Sequence, residues 1–504
     1  MIFESIVPPI DIPGVDIPTH FLASAKANGA APETPAFVDI GSQATLTYGE
    51  LDKMHDRIAS GLVNNLGIHK GDVVMIFAPN SIFYAPAYFG IIAAGAVCCT
   101  ASSMYNAPEI AYQLNDCKAK AVFVGKAQGE IVIQAIEQGL VDMPYHNVIT
   151  FGDIFPGYLY RGLHEILSDE PYNRLRITTK EEAASTLAVI VYSSGTTGRP
   201  KGVMLSHYNL TQYILPSYHI DTFLRAIQDF KIQYAVTVPS ILAQIVKHPN
   251  LGRYDLSSVK SLSCGAASLT KNIEERASWL LPVSVNQGYG LSETSGGITL
   301  MTDHMHIPGS VGFMVPNGQV KFVDENGTEL GVSQEGELWV RSSQVMMGYL
   351  NCPEENAQVF DKDGFLRTGD IGYINETGHI FITDRIKELI KYKGMQVSAI
   401  ELEDILMTHE AVEDAAVIGV YDHQRETEVP MAYVVLAGNV DRADKCMVPK
   451  VCMEIQVFVA AKVAGHKQLR GGVRSIRAIP RNASGKILRR ELKTRHAAVT
   501  GAKL

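Results

Sequence analysis

Val191-Tyr-Ser-Ser-Gly-Thr-Thr-Gly-Arg-Pro-Lys-Gly-Val-Met-Leu-Ser-His207 is the stretch that decides the fold. It starts as a buried strand, because Leu187 to Tyr192 is nearly unbroken apolar sequence rich in β-branched residues. It then opens into small and hydroxylated residues, Ser193, Ser194, Gly195, Thr196, Thr197 and Gly198. Gly195 and Gly198 carry no Cβ, so backbone N–H groups can approach a polyphosphate closely there. The hydroxyls add donors and Lys201 adds a point charge. The common phosphate loop, G-x-x-x-x-G-K-[ST], is excluded, because Arg199-Pro200 follows Gly198.

Outward from this stretch, short apolar strands alternate with helical segments. Strands are expected at Val73–Ala78, Ala96–Thr100, Ala121–Val124, Tyr234–Pro239, Val259–Ser263 and Val283–Gln287. Helices are expected at Met54–Leu66, Ser81–Ala94 and from Pro108 to Leu114. This alternation predicts parallel α/β units. The strands ending at Ser263 and Gln287 run into small residues, and open α/β sheets bind ligands at such carboxyl ends. There Tyr289 could stack on a base and Glu293 could hold Mg²⁺, although a carboxylate such as Glu293 taken alone is more often a surface group. From Gly309 the chain turns into short β segments, with Thr368-Gly-Asp370 read as a turn whose carboxylate accepts ribose hydroxyls. Asp384-Arg-Ile-Lys-Glu388 reads as a charged linker. Beyond it come a helix at Ser398–His409, strands at Val412–Val420 and Met431–Leu436, and a helix at Gln456–Ala464.

A chain of 504 residues exceeds one ordinary domain. Its net charge of −9 comes with no basic patch, so nucleic acid is not expected as a partner. The seven cysteines have an odd count and no ligand-like spacing, which argues against a disulfide framework or a zinc site. Ile82 to Thr100 has no charge, but Pro86, Gly90 and Gly95 interrupt it. It predicts a buried helix and strand, with no transmembrane segment.

Six motifs in one order then point to a family. They are Tyr192-Ser-Ser-Gly-Thr-Thr-Gly-Arg-Pro-Lys-Gly202, Gln287-Gly-Tyr-Gly-Leu-Ser-Glu293, Gly336-Glu-Leu-Trp-Val-Arg341, Arg367-Thr-Gly-Asp370, Asp384-Arg-Ile-Lys-Glu-Leu-Ile-Lys-Tyr-Lys-Gly394 and Pro480-Arg-Asn-Ala-Ser-Gly-Lys486. On these, nearly the whole chain resembles the adenylate-forming superfamily of acyl-CoA synthetases, aryl-CoA ligases and beetle luciferases. Within it, the chain most resembles 4-coumarate–CoA ligase-like acyl-CoA synthetases.

The resemblance implies an α/β fold. A large N-terminal adenylation domain (1–383) holds α/β subdomains and a small β-barrel-like part. A hinge (384–387) joins it to a small mobile α+β domain (388–504). It also implies a two-step reaction. A carboxylic acid, fatty or aryl-propenoic, is activated with ATP and Mg²⁺ as acyl-AMP, and coenzyme A then displaces AMP. Carried over by position, Ser193 to Gly198 and Lys201 would hold the β- and γ-phosphates. Gly265, Ala266 and Ala267 would lie along the adenine and the acyl group, and Gln287, Gly288 and Tyr289 would frame the nucleotide. Ser292 would meet the α-phosphate, Glu293 the metal, and Asp370 with Arg385 the ribose. Lys387 would be the hinge, and Lys391 with Gly394 would face the CoA step. Lys486 would stabilise the adenylation transition state.

The chain departs from the pattern mildly at Ser268, where the family often has Pro, and near Met347, where it often has Lys or Arg, and at two further places. Ser292 stands where the family has Thr, which keeps the hydroxyl. More seriously, several tens of residues that carry a strand, a helix and part of the acyl pocket are missing between His207 and Asp221. Only Leu215-Pro-Ser-Tyr-His-Ile220 remains, with His219 as a candidate remnant of the acyl pocket. An impaired, nucleotide-binding member is therefore the alternative reading, and an adenylating module serving a carrier protein is a third. The terminal Ala502-Lys503-Leu504 resembles a peroxisomal address, which implies an import receptor as partner and a peroxisomal rather than cytoplasmic location.

Overall fold

The structure is a computed structural model. It describes residues 1–39, 44–151, 161–193, 200–210, 224, 227–229, 231–246, 251–265, 269, 271–281, 283–302, 305–393, 395–422, 424–438, 447–481 and 487–500. Its centre is an eight-stranded sheet in which Leu187–Ser193 pairs parallel with Val97–Thr100 and antiparallel with Lys201–Ser206. Val73–Phe77, Ala121–Val124 and Val148–Thr150 continue the parallel part. Both faces are covered, as a parallel sheet requires. Ile76, Cys98 and Val189 face one apolar cluster, while Met75, Cys99 and Ile190 face another.

The uncharged run from Ile82 to Thr100 folds as expected, as the helix Tyr84–Ala93 and the strand Val97–Thr100. Among the described residues no helix is long and apolar enough to cross a membrane. The expected Met54–Leu66 helix starts earlier, at Tyr48. Thr47 and Glu50 form a reciprocal capping box that satisfies the first-turn N–H groups. Gly67, with φ of +64°, ends that helix.

Tyr234–Thr237, Ser261–Cys264 and Ser284–Gln287 form a second, parallel sheet. Its register puts Thr237, Cys264 and Gln287 in line, so three carboxyl ends open on the same side. Among the described residues Tyr234–Thr237 pairs on one side only. Its Tyr234 and Val236 are 71% and 46% exposed. Apolar surface is thus uncovered on the strand that follows the shortened interval.

Ile2–Glu4, Gln319–Val323, Gly336–Arg341, Leu366–Ile374 and Ile380–Arg385 make a five-stranded antiparallel sheet. Two expectations are corrected here. Thr368-Gly369-Asp370 lies within a strand, where the pairing slips between Glu337 and Trp339 and Gly369 has φ of +71°, a bulge that glycine tolerates. Asp384 and Arg385, read as linker, complete the Ile380–Arg385 strand. Irregular chain starts only at Ile386.

The C-terminal part has its own core around Val412–Asp422 and Thr427–Leu436. Its helix runs over Met447–Ala460, earlier than the expected Gln456–Ala464. Pro449 falls in the first turn, where its missing N–H costs nothing, so it does not delay the start. Arg489 ties the last helix to Glu403 and, at 3.0 Å, to Glu388.

One fold contact carries a pH prediction. Buried His207 accepts the Ile17 N–H at Nδ1, 3.2 Å away, and anchors the Ile17–Ala27 helix. Burial, partly opposed by Asp16, pushes its pKa down from 6.5 to about 4. The unfolded chain therefore takes up a proton that the folded one refuses. Stability present above pH 6.5 should fall by up to ~3 kcal/mol between pH 6.5 and 4. Urea midpoints across that window, flattened in His207→Gln, check this.

Candidate active site

The carboxyl ends of the two parallel sheets and the bulged strand face one cavity of about 1550 Å³. Single small-molecule sites are usually ~300–1,000 Å³. The larger volume suits a nucleotide together with a second substrate.

Ser193 and Lys201 are direct cross-strand partners, so the ends of the hydroxyl-rich loop meet at the cavity wall. Lys201 Nζ lies 3.2 Å from Glu355 and 5.2 Å from the centre of the Tyr349 ring. Tyr349 in turn donates its hydroxyl to Glu293 Oε1 at 2.8 Å. The backbone of Glu293 is fixed as well, since Met346 N–H donates to its carbonyl at 2.8 Å. Burial, then the Glu293 charge, pushes the Tyr349 phenol up, so it stays a donor. Ser292 and Glu293 sit on a short 3-10 turn closed by the Gly290–Leu291 and Gly296–Gly297 hairpin. A Cβ on Gly290 would come within 1.9 Å of Gly296 O, so only glycine fits.

Among the described residues no group of three or more His, Cys, Asp or Glu is arranged to hold a metal. One protein carboxylate is enough for Mg²⁺, which keeps waters and takes its remaining ligands from phosphates. Glu293 is the residue that would hold it.

Behind the cavity wall Asp370 is buried between two partners. Arg385 Nε lies 2.6 Å from its Oδ1 and Tyr289 O–H donates to its Oδ2 at 2.6 Å. Asp370 and Arg385 are also cross-strand partners. Burial, the largest cause, opposes the Arg385 charge, but Asp370, Glu388 and Tyr289 together outweigh it and raise the guanidinium pKa. Burial, then Asp370, pushes the Tyr289 phenol far up. Glu337 accepts from Gly369 N–H at 3.1 Å and Trp339 Nε1 at 2.8 Å, and so braces the bulge. Gly265 and Gly288 line the floor, with the Gly288 N–H bonded to Cys264 O at 3.0 Å. Cys264 borders the cavity, but burial pushes its thiol up to about 12, so it is no thiolate nucleophile.

Of the expected residues, the structure brings Ser193, Lys201, Gly265, Gln287, Gly288, Tyr289, Ser292, Glu293, Arg385 and Lys387 to the cavity wall, with Asp370 just behind it. Lys391 is not brought there. It is exposed on the Ile390–Tyr392 strand, and its N–H donates to Glu428 at 2.9 Å. Ser194, Gly195, Thr196, Thr197, Gly198, Ala266, Ala267, His219, Gly394, Lys486 and Ala502 to Leu504 lie outside the described residues. Sequence reading did not assign roles to Tyr349, Glu355, Glu337 or Glu274. The Glu337 signal was present, since it belongs to a quoted motif. Tyr349 and Glu355 lie outside the quoted motifs, and nothing local marks Glu274.

Two family models match the chain. The AMP-binding enzyme model matches residues 24–221 and 211–350, and the AMP-binding enzyme C-terminal domain matches residues 401–486. A 4-coumarate–CoA ligase-like protein of Oryza sativa subsp. japonica is 36% identical, covering 98% of this chain and 95% of its own. A 4-coumarate–CoA ligase of Pinus taeda is 32% identical, covering 99% and 98%. A solved anthranilate CoA ligase in complex with anthranoyl-AMP superposes with a TM-score of 0.85 at 21% identity, covering 98% and 99%, and shares the fold.

The alignment with the rice protein spans 552 positions against 504 residues here, so that relative carries residues this chain lacks. The first family model stops at 221 and restarts at 211, which puts the break at the shortened interval. The reading of an impaired enzyme gains no support from these matches. With both family models matched in order and full-length relatives above 30% identity, the chain belongs to the AMP-binding enzyme family.

Proposed function

We propose that the chain is an ATP-dependent acid–CoA ligase. The observation that carries this is that the phosphate-loop lysine Lys201, the Glu293 carboxylate and Arg385, with Asp370 behind it, meet at one cavity. In the first step a carboxylate oxygen attacks the α-phosphorus of ATP, and the bond to the β-phosphate breaks to release pyrophosphate. In the second, the CoA sulfur attacks the acyl carbonyl and AMP leaves with the electron pair of the broken C–O bond.

Phosphoryl chemistry asks mainly for positioning and charge neutralisation. Ser193 to Gly198 and Lys201 hold the β- and γ-phosphates. Ser292 donates to the α-phosphate, and Glu293 would hold Mg²⁺, which would neutralise phosphate charge. Asp370 and Arg385 bind the ribose hydroxyls. Gln287, Gly288 and Tyr289, with Gly265 to Ala267, frame the base. Lys486 supplies charge to the transition state, and Lys387 is the hinge that lets residues 388–504 exchange Lys486 for the CoA face bearing Lys391 and Gly394. The departure of Lys486 after the first step lets one chain run both half-reactions.

The acid has an apolar body. Ile10, Leu210, Val236, Leu300, Met301 and Val315 are among the residues that line the cavity. A fatty or aryl-propenoic acid fits that lining, and a second carboxylate on the acid would stay unpaired there. Pyrophosphate release with ATP and a panel of acids tests the reading. Release is expected with medium- or long-chain and aryl-propenoic acids, at least about tenfold above malonate. Protein that binds ATP but releases none with any acid would sink the ligase reading.

A further inference from the structure

The Lys271–Leu280 helix carries a carboxylate that takes no direct part in either step. The Glu274 side chain is 2% exposed and holds three donors. Gln287 Nε2 lies at 2.8 Å, His306 Nε2 at 2.7 Å and Gly309 N at 3.2 Å. An ionised carboxylate only accepts, so the Gln287 amide must turn its NH₂ toward Glu274. Gln287 ends the Ser284–Gln287 strand and lines the cavity. With nitrogen committed to Glu274, the carbonyl oxygen is the end of the amide left for a ligand. His306 and Gly309 hold Glu274 from other directions and prevent it from swinging away.

We propose that Glu274 is a positioning residue that sets nucleotide specificity. It locks the Gln287 amide so that its oxygen accepts from the exocyclic amino group of adenine. A purine with oxygen at that position meets another acceptor and is rejected. Discrimination of this kind rests on leaving a buried polar group unpaired with the wrong ligand. The inference rests on the ATP-dependent reading above, with the base placed beside Gln287.

The reciprocal change should unlock it. In Glu274→Gln the new amide can accept from His306 with its oxygen and donate to Gln287 with its nitrogen, giving up the bond from Gly309 N–H, which shares the Gln287-facing oxygen. Gln287 then turns its oxygen away from the cavity and offers NH₂ instead. ATP and ITP, which differ in the 6-position of the purine, are the probes, and calorimetric binding to the full chain is the readout. Wild type is expected to favour ATP by about a hundredfold, and Glu274→Gln to fall within about tenfold. The double variant Glu274→Gln/Gln287→Glu, which again presents an acceptor to the base, should recover the preference for ATP. Gln287→Met leaves Glu274 in place and should also lose the preference, which keeps the test open if Glu274→Gln fails to fold. An unchanged ATP-to-ITP ratio in Glu274→Gln or in Gln287→Met would overturn the proposal, even if both affinities dropped together. If wild type binds ATP but releases no pyrophosphate, the ligase reading fails while the binding ratio still decides this inference. If wild type binds neither nucleotide, both fail.

Discussion

Glu293→Gln is expected to lower kcat/KM for pyrophosphate release by at least about a thousandfold while leaving the melting temperature within a few degrees of wild type. Glutamine keeps the size of the side chain and one oxygen to accept from Tyr349. It removes the carboxylate charge on the cavity wall that would hold Mg²⁺ against the phosphates. Phosphoryl transfer asks the protein mostly for positioned charge, so losing a metal ligand should act on the reaction more than on the fold. The apparent Mg²⁺ requirement should rise in the same variant. Tyr349→Phe removes only the 2.8 Å hydrogen bond that aims Glu293, and a loss of roughly tenfold is expected. Near-normal rates for Glu293→Gln would remove Glu293 from the metal site.

Asp370→Ala should act on binding and folding together. The buried carboxylate neutralises Arg385 and accepts from Tyr289, each at 2.6 Å. Its removal leaves a cation and a phenol without their partner. Breaking a fully buried pair costs ~3–5 kcal/mol. The Arg385 side chain is 32% exposed, so water reduces that to roughly 2–3 kcal/mol. Loss of the ribose acceptor should also weaken ATP binding by about a hundredfold. The double variant Asp370→Ala/Arg385→Ala separates the two effects. It should regain much of the lost stability in urea titrations, because no orphaned cation remains, yet its ATP affinity should stay low. Recovery of ATP binding in the double variant would contradict the ribose role.

The parts of the fold legible in the sequence are those carried by local pattern. Val73–Phe77, Ala121–Val124 and Ser284–Gln287 fall close to their expected positions, because buried strands need continuous apolar residues. The early start at Tyr48 was also written locally, in Thr47 and Glu50, but the apolar spacing drew the boundary to Met54. The Met447–Ala460 helix starts nine residues before the expected Gln456, and Pro449 is accommodated in its first turn. Thr368-Gly-Asp370 has the composition of a turn. Only its pairing with Gly336–Arg341 makes it a bulge inside a strand, and Glu337 holds it there.

The site divides along the same line. Sequence alone determined which residue types are present and in what order: the hydroxyl-rich loop from Ser193, the Gln287 to Glu293 run, Asp370, Arg385 and the shortened interval before Asp221. Tertiary structure decided which of them touch. Asp370 meets Tyr289 across 81 residues of chain, Tyr349 meets Glu293 across 56, and Glu274 meets His306 across 32. Each of those contacts depends on the register of two strands or on the packing of a helix against a sheet. That register comes from burial shared over many side chains, which no local run of residues encodes. The strands that flank the hydroxyl-rich stretch were therefore readable locally, while the carboxylates around the cavity became visible only once the sheets had brought them together.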